Sequence, residues 1–184
     1  KNIFHFLIIT LSSIMLTVGL LTSVTYINVS LTLIIFCIYP IIVLIISIFI
    51  TKEKIKTVIK FLFITTFVGL ILALSPSIES LKVQGIVLAL IASLGASMMI
   101  VTNQSMSKKN ITPILINIFI NLFNTIFFFV ILSLLYKIDY SVELSTFLIL
   151  LIPSCSYALA LFLQLLAIPR IGQTNTALFL YLEP

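Results

Sequence analysis

Charge is what this chain has least of. Of its 184 residues, 8% are Asp, Glu, Lys or Arg, against about 25% in a soluble domain. Hydrophobic residues make up 61%, and mean hydropathy is +1.35. No polar segment is long enough to form a separate soluble domain. The five acidic residues are scattered, and the single histidine, His5, has no metal-ligating partner at a usable spacing. That argues against a membrane-embedded enzyme acting on lipid, whose chemistry calls for clustered carboxylates or histidines. No P-loop is present to bind ATP. The two cysteines, Cys37 and Cys155, lie inside apolar runs and read as small buried hydrophobes rather than a disulfide pair. The net charge of +5 comes from basic residues in the short connections. This is the positive-inside pattern of a membrane protein, not a nucleic-acid-binding surface. No cofactor and no metal site is implied.

What the chain does have is long apolar runs. Runs of this length mean helices rather than barrel strands. The expected fold is an all-α polytopic membrane protein with about seven transmembrane helices. They run from Phe4 to Tyr26, Leu31 to Ile50, Thr57 to Leu74, Gly85 into the loop at Asn103, Pro113 to Tyr136, and Thr146 to Ile168. A seventh begins near Gln173 and is still running at Pro184. The chain starts without Met and ends inside an apolar helix, so further sequence is expected at both ends.

Prolines punctuate three of these runs. Pro40 sits near the middle of its helix, removes a backbone donor and should kink or open it. Pro184 stands at the equivalent point of the seventh helix. Pro153 should bend the sixth helix, and Pro169, Arg170 and Gly172 suggest a tight turn after it. On the fourth helix, Gly85, Ala89, Ser93 and Ser97 recur every four residues, flanked by Ala92 and Ala96. This is a small-residue face for close packing against another helix. The small and hydroxylated residues of the first helix, Thr10 to Ser23, suggest the same. On the fifth helix, Asn117, Asn121 and Asn124 share one face. Either they line a polar path or they hydrogen-bond between helices.

Basic residues divide unevenly between the two ends of the helices. Lys1, the four lysines of Lys52–Lys60, Lys108, Lys109 and Arg170 fall at one end; only Lys82 and Lys137 fall at the other. The Lys52–Lys60 loop is therefore expected on the cytoplasmic side. An internal repeat is also visible at an offset of 144 residues. Pro40 meets Pro184, Thr32 meets Thr176, Ile27 meets Ile171, Leu21 meets Leu165, Ser12 meets Ser156 and Ile8 meets Ile152. The offset pairs the first helix with the sixth and the second with the seventh. A shift of five helices places the two units in opposite orientation, an inverted repeat of the kind transporters use.

The segment S-Y-A-L-A-L-F-L-Q-L-L-A-I-P-R-I-G-Q-T-N-T-A-L-F-L-Y-L-E-P resembles the eighth and ninth helices of EamA-type transporters in the drug/metabolite transporter superfamily. Tyr157, Ala167, Gly172, Ala177, Glu183 and Pro184 carry the match. V-S-L-T-L-I-I-F-C-I-Y-P-I-I-V-L-I-I-S-I-F-I-T-K-E-K-I is similar to the family's fourth helix, with Pro40 as its proline and Glu53 as its terminal Glu. Lys52 departs from the family's glycine there. Gly69 and Gly85 fit the glycines of the next two helices. The resemblance implies ten helices as two inverted five-helix units. Residues 1–78 would end the first unit and residues 79–184 would begin the second. It also implies a bacterial cytoplasmic membrane location, a small-molecule substrate moved outward, and the option of a homodimer.

Glu183 is the one acidic residue inside an apolar run, and a carboxylate at that depth is a functional group by default. It would bind a coupling proton or a cationic part of the substrate. Tyr39 holds the matching position in the first unit. Asn117, Asn121, Tyr157, Gln164, Thr32 and Thr176 complete the expected substrate pathway. The expected function is secondary transport by alternating access; the alternatives are the lipid enzyme and a non-transporting membrane subunit.

Overall fold

In a computed structural model, residues 2–49, 56–74, 82–135 and 144–180 are described. Their secondary structure is entirely helical. The elements are α1 (Asn2–Ser23), α2 (Val29–Phe36), α3 (Tyr39–Phe49), α4 (Thr57–Leu74), α5 (Val83–Ser107), α6 (Pro113–Leu135), α7 (Leu144–Ile171) and α8 (Gln173–Phe179). Six stretches are long and apolar enough to cross a bilayer: α1, α2 and α3 taken together, α4, α5, α6 and the body of α7. The chain is an all-α polytopic membrane protein.

The fold is organised around α5, which packs along α1 more extensively than any other pair of helices. The small-residue face explains this. Gly85, Ala89, Ala92, Ser93, Ala96 and Ser97 are all buried on it. Gly95, which the four-residue spacing does not include, makes the closest approach. A Cβ there would lie 2.6 Å from the Ser12 carbonyl oxygen and 2.8 Å from the Leu16 nitrogen. Across the same seam, a Cβ on Gly19 would lie 2.7 Å from the Leu88 carbonyl oxygen. Backbone therefore meets backbone, and only glycine fits. Three of the six hydroxyls on α1 return to their own helix: Thr10 donates to the Phe6 carbonyl at 2.8 Å, Ser12 to Ile8 at 2.7 Å and Thr17 to Ser13 at 3.0 Å. This satisfies them without a partner helix.

The second apolar run is split where its proline predicts. α2 opens at Asn28, whose Oδ1 caps the Leu31 amide at 2.8 Å. It ends at Phe36, and α3 starts at Tyr39 with Pro40 in its first turn. Proline is well placed there, since first-turn amides have no helical acceptor. The cost falls on the preceding turn, where Phe36 loses its i+4 donor and the chain opens at Cys37 and Ile38. The rings of Phe36 and Tyr39 face each other across the gap, 4.9 Å apart.

The other prolines behave differently. α7 runs through Pro153 and also through Pro169, so the turn expected at Pro169 and Arg170 is absent. The break falls instead at Gly172, at φ +85°, a conformation open to glycine. Pro184 and Glu183 lie outside the described residues. Cys37 is buried as expected, whereas Cys155 is exposed on α7. α5 and α6 are joined through Asn110 at φ 60°, a left-handed position that asparagine tolerates.

Candidate functional site

A cavity of about 480 Å³ opens between α1, the α2–α3 break, α5 and α7. This is within the range of small-molecule pockets. Leu16, Thr17, Leu20 and Leu21 of α1 form one wall, and Tyr157, Ala160, Leu161 and Gln164 of α7 face them. Phe36 and Tyr39 close it at the break, Ala96 and Met99 of α5 form the floor, and Leu180 enters from beyond α8. The position of Tyr39 follows from the break: the Ser97 hydroxyl of α5 is shared between the Ser93 carbonyl of its own helix at 2.8 Å and the Tyr39 carbonyl at 3.0 Å, which links α5 to the first turn of α3.

The lining has a regularity. Leu16 and Ala160, Thr17 and Leu161, Leu20 and Gln164, and Phe36 and Leu180 are each 144 positions apart. The start of α2 at Val29 and the start of α8 at Gln173 share that spacing. The offset found in the sequence thus relates residues that face one cavity.

Polar groups in the cavity are few. Thr17 donates its hydroxyl to Ser13 at 3.0 Å. Tyr39 is buried, with 4% of its surface exposed, and Tyr157 is exposed at the rim. The Gln164 amide makes no hydrogen bond within the described residues, yet it also borders a second groove of about 380 Å³ between α7 and α8. Ala160 and Leu180 are shared by both spaces.

The other expected pathway residues are placed as follows. Thr176 borders the groove but is buried, with its hydroxyl donating to the Gly172 carbonyl at 2.9 Å. Thr32 does not reach the cavity. It is fully buried and 3.2 Å from the Ser23 hydroxyl, which in turn donates to the Gly85 carbonyl at 2.8 Å. That knot ties α1, α2 and α5 together. The asparagine face of α6 is divided. Asn124 donates to Ser13 of α1 at 2.7 Å, an interhelical bond. Asn121 is exposed and bonds Asn117 within α6. Neither Asn117 nor Asn121 lines the cavity.

Two polar contacts were not legible in the sequence. Ser47 near the end of α3 accepts from Gln173 Nε2 at 2.8 Å and from Thr174 at 3.0 Å, and all three residues are buried. The partners are well over a hundred positions apart, and a lone serine in an apolar run carries no signal for them. At the same end of the structure as Lys108, Lys109 Nζ lies 2.8 Å from His5 Nε2, which joins the start of α1 to the α5–α6 turn. No three His, Cys, Asp or Glu converge as a metal site among the described residues. No family model, no curated protein and no solved structure matches this chain.

Proposed function

We propose that this protein is a secondary transporter that carries a small molecule across the membrane by alternating access, as its resemblance to EamA-type transporters suggests. The observation that carries this reading is the cavity between the broken helix α2–α3 and helices α1 and α7, with its wall residues paired at the repeat offset. Transporter sites form where discontinuous helices from two repeated units meet near the bilayer midplane. Rocking of one unit against the other would expose the cavity to each side in turn. The Ser47–Gln173–Thr174 contact, where α3 meets α8, is then a contact that must part.

Orientation follows the basic residues. His5, Lys108 and Lys109 gather at one end, which the positive-inside rule assigns to the cytoplasm together with the Lys52–Lys60 loop. The membrane is a bacterial cytoplasmic membrane and the direction of transport outward. Glu183 follows the cavity residue Leu180 by three positions, in a run where an ionised carboxylate is costly. It carries the coupling proton.

The test is flux. The full-length protein, purified and placed in liposomes, is expected to accumulate or exchange at least one compound of a broad metabolite panel. Protein that is folded and monodisperse yet moves nothing in either mode would sink the proposal.

A further inference from the structure

Charge distribution around the cavity bears on what it holds. Among the described residues the only formal charges are Lys56, Lys60, Lys82, Lys108, Lys109 and Arg170, and all six are exposed. None of them lines the cavity. Among the described residues a charged ligand there would meet no opposite charge on leaving water, which is unfavourable in an apolar setting. The walls are mostly aliphatic, with the Phe36 and Tyr39 rings at one end.

One wall group is uncommitted. Gln164 is partly buried on the cavity face of α7, and its amide has no hydrogen-bond partner within the described residues. Thr17 has its proton engaged by Ser13. A carboxamide offers two donors and an acceptor oxygen in one plane. It is matched by a neutral group with both a donor and an acceptor, such as another amide. It discriminates such a group from an isostere lacking it, because the unmet amide would lose its hydrogen bonds on ligand entry.

From these observations we infer that the cavity takes a neutral, largely apolar molecule bearing an amide-like donor–acceptor group, and that Gln164 is the residue that recognises that group. This rests on the transporter reading for its physiological role, but the site itself is tested by binding.

Three tritiated indole probes of nearly one shape separate the possibilities in purified full-length protein. N-acetyltryptophanamide is neutral, N-acetyltryptophan is an anion, and tryptophanamide is a cation at about pH 6, below the α-amino range near 7.7. The neutral probe is expected to bind saturably and at least tenfold tighter than either ion. Gln164→Leu should weaken it at least fivefold while leaving 3-methylindole, which has no amide, within twofold. Gln164→Glu should reverse the order in favour of the cation. The residue lies on a cavity wall rather than in the core, and an unchanged melting temperature checks that each variant folds. Tighter binding of either ion by the natural protein overturns the inference, as does equal loss of both indoles in Gln164→Leu, or no binding of any probe. Flux of a charged compound that is indifferent to Gln164 overturns the inference and leaves transport standing. Binding as expected with no flux of any compound overturns transport and leaves the site.

Discussion

Asn103 Nδ2 donates to the carbonyl oxygen of Leu165 at 3.2 Å. In an unbroken helix that carbonyl would accept from the amide four residues on, which here is Pro169 and has no N–H. The buried asparagine of α5 therefore supplies the bond that the proline removes, and α7 continues to Ile171. Membrane helices tolerate proline where a neighbouring side chain meets the freed group.

Asn103→Leu should lower the stability of the detergent-solubilised protein by about 1 kcal/mol, the scale of an interhelical hydrogen bond in a membrane protein. Pro169→Ala restores an N–H at the right place, so the double variant should recover part of that loss. Thermal melting of the two single variants and the double variant gives the coupling. Strict additivity would show that Asn103 does not serve the proline.

Gly95→Ala should prevent stable packing of α1 on α5. Its new methyl would meet Ser12 and Leu16 backbone atoms below 3 Å, and backbone cannot rotate away as a side chain can. Gly69→Ala is the control, since nothing lies within 4 Å of that position on α4; its effect should stay within about 0.5 kcal/mol. Size-exclusion profiles in detergent separate the two, and a monodisperse Gly95→Ala protein would contradict the close seam.

Thr32 and Gln164 should part company in function. Thr32→Val removes a buried hydroxyl from the Ser23–Gly85 knot and should cost about 1 kcal/mol in stability, with flux per folded molecule unchanged. A tenfold loss of flux without loss of stability would return Thr32 to the pathway.

The hydroxyls of Ser47 and Thr174 are 3.0 Å apart. Cysteines at both positions, with Cys37 and Cys155 replaced by serine, should form a disulfide on oxidation. Locking α3 to α8 is expected to reduce flux at least tenfold, and reductant should restore it. Full flux in the cross-linked protein would mean that this contact does not part during transport.

Glu183→Gln should abolish dependence of flux on a proton gradient while retaining exchange of substrate, because a permanently neutral side chain cannot release a proton. Gradient-driven and exchange fluxes measured on the same liposomes distinguish this from simple loss of the protein. Unaltered gradient-driven flux would remove Glu183 from coupling.

Local chemistry was enough to determine the spans, the break near Pro40 and the packing face of α5. Each depends on residues a few positions apart: an apolar run long enough for the bilayer, a proline without its donor, small side chains at helical spacing. Several of the cavity's wall residues also lie 144 positions apart, the spacing at which the sequence shows its six identities. Tertiary structure decided which polar residues face open space. Thr32, Asn117 and Gln164 look alike in an apolar helix, yet one is locked to Ser23, one bonds along its own helix, and one borders the cavity. It also decided the fate of Pro169, which sequence alone reads as a helix end. The bond that keeps α7 intact comes from Asn103, far away in the chain, and only folding brings that amide within reach.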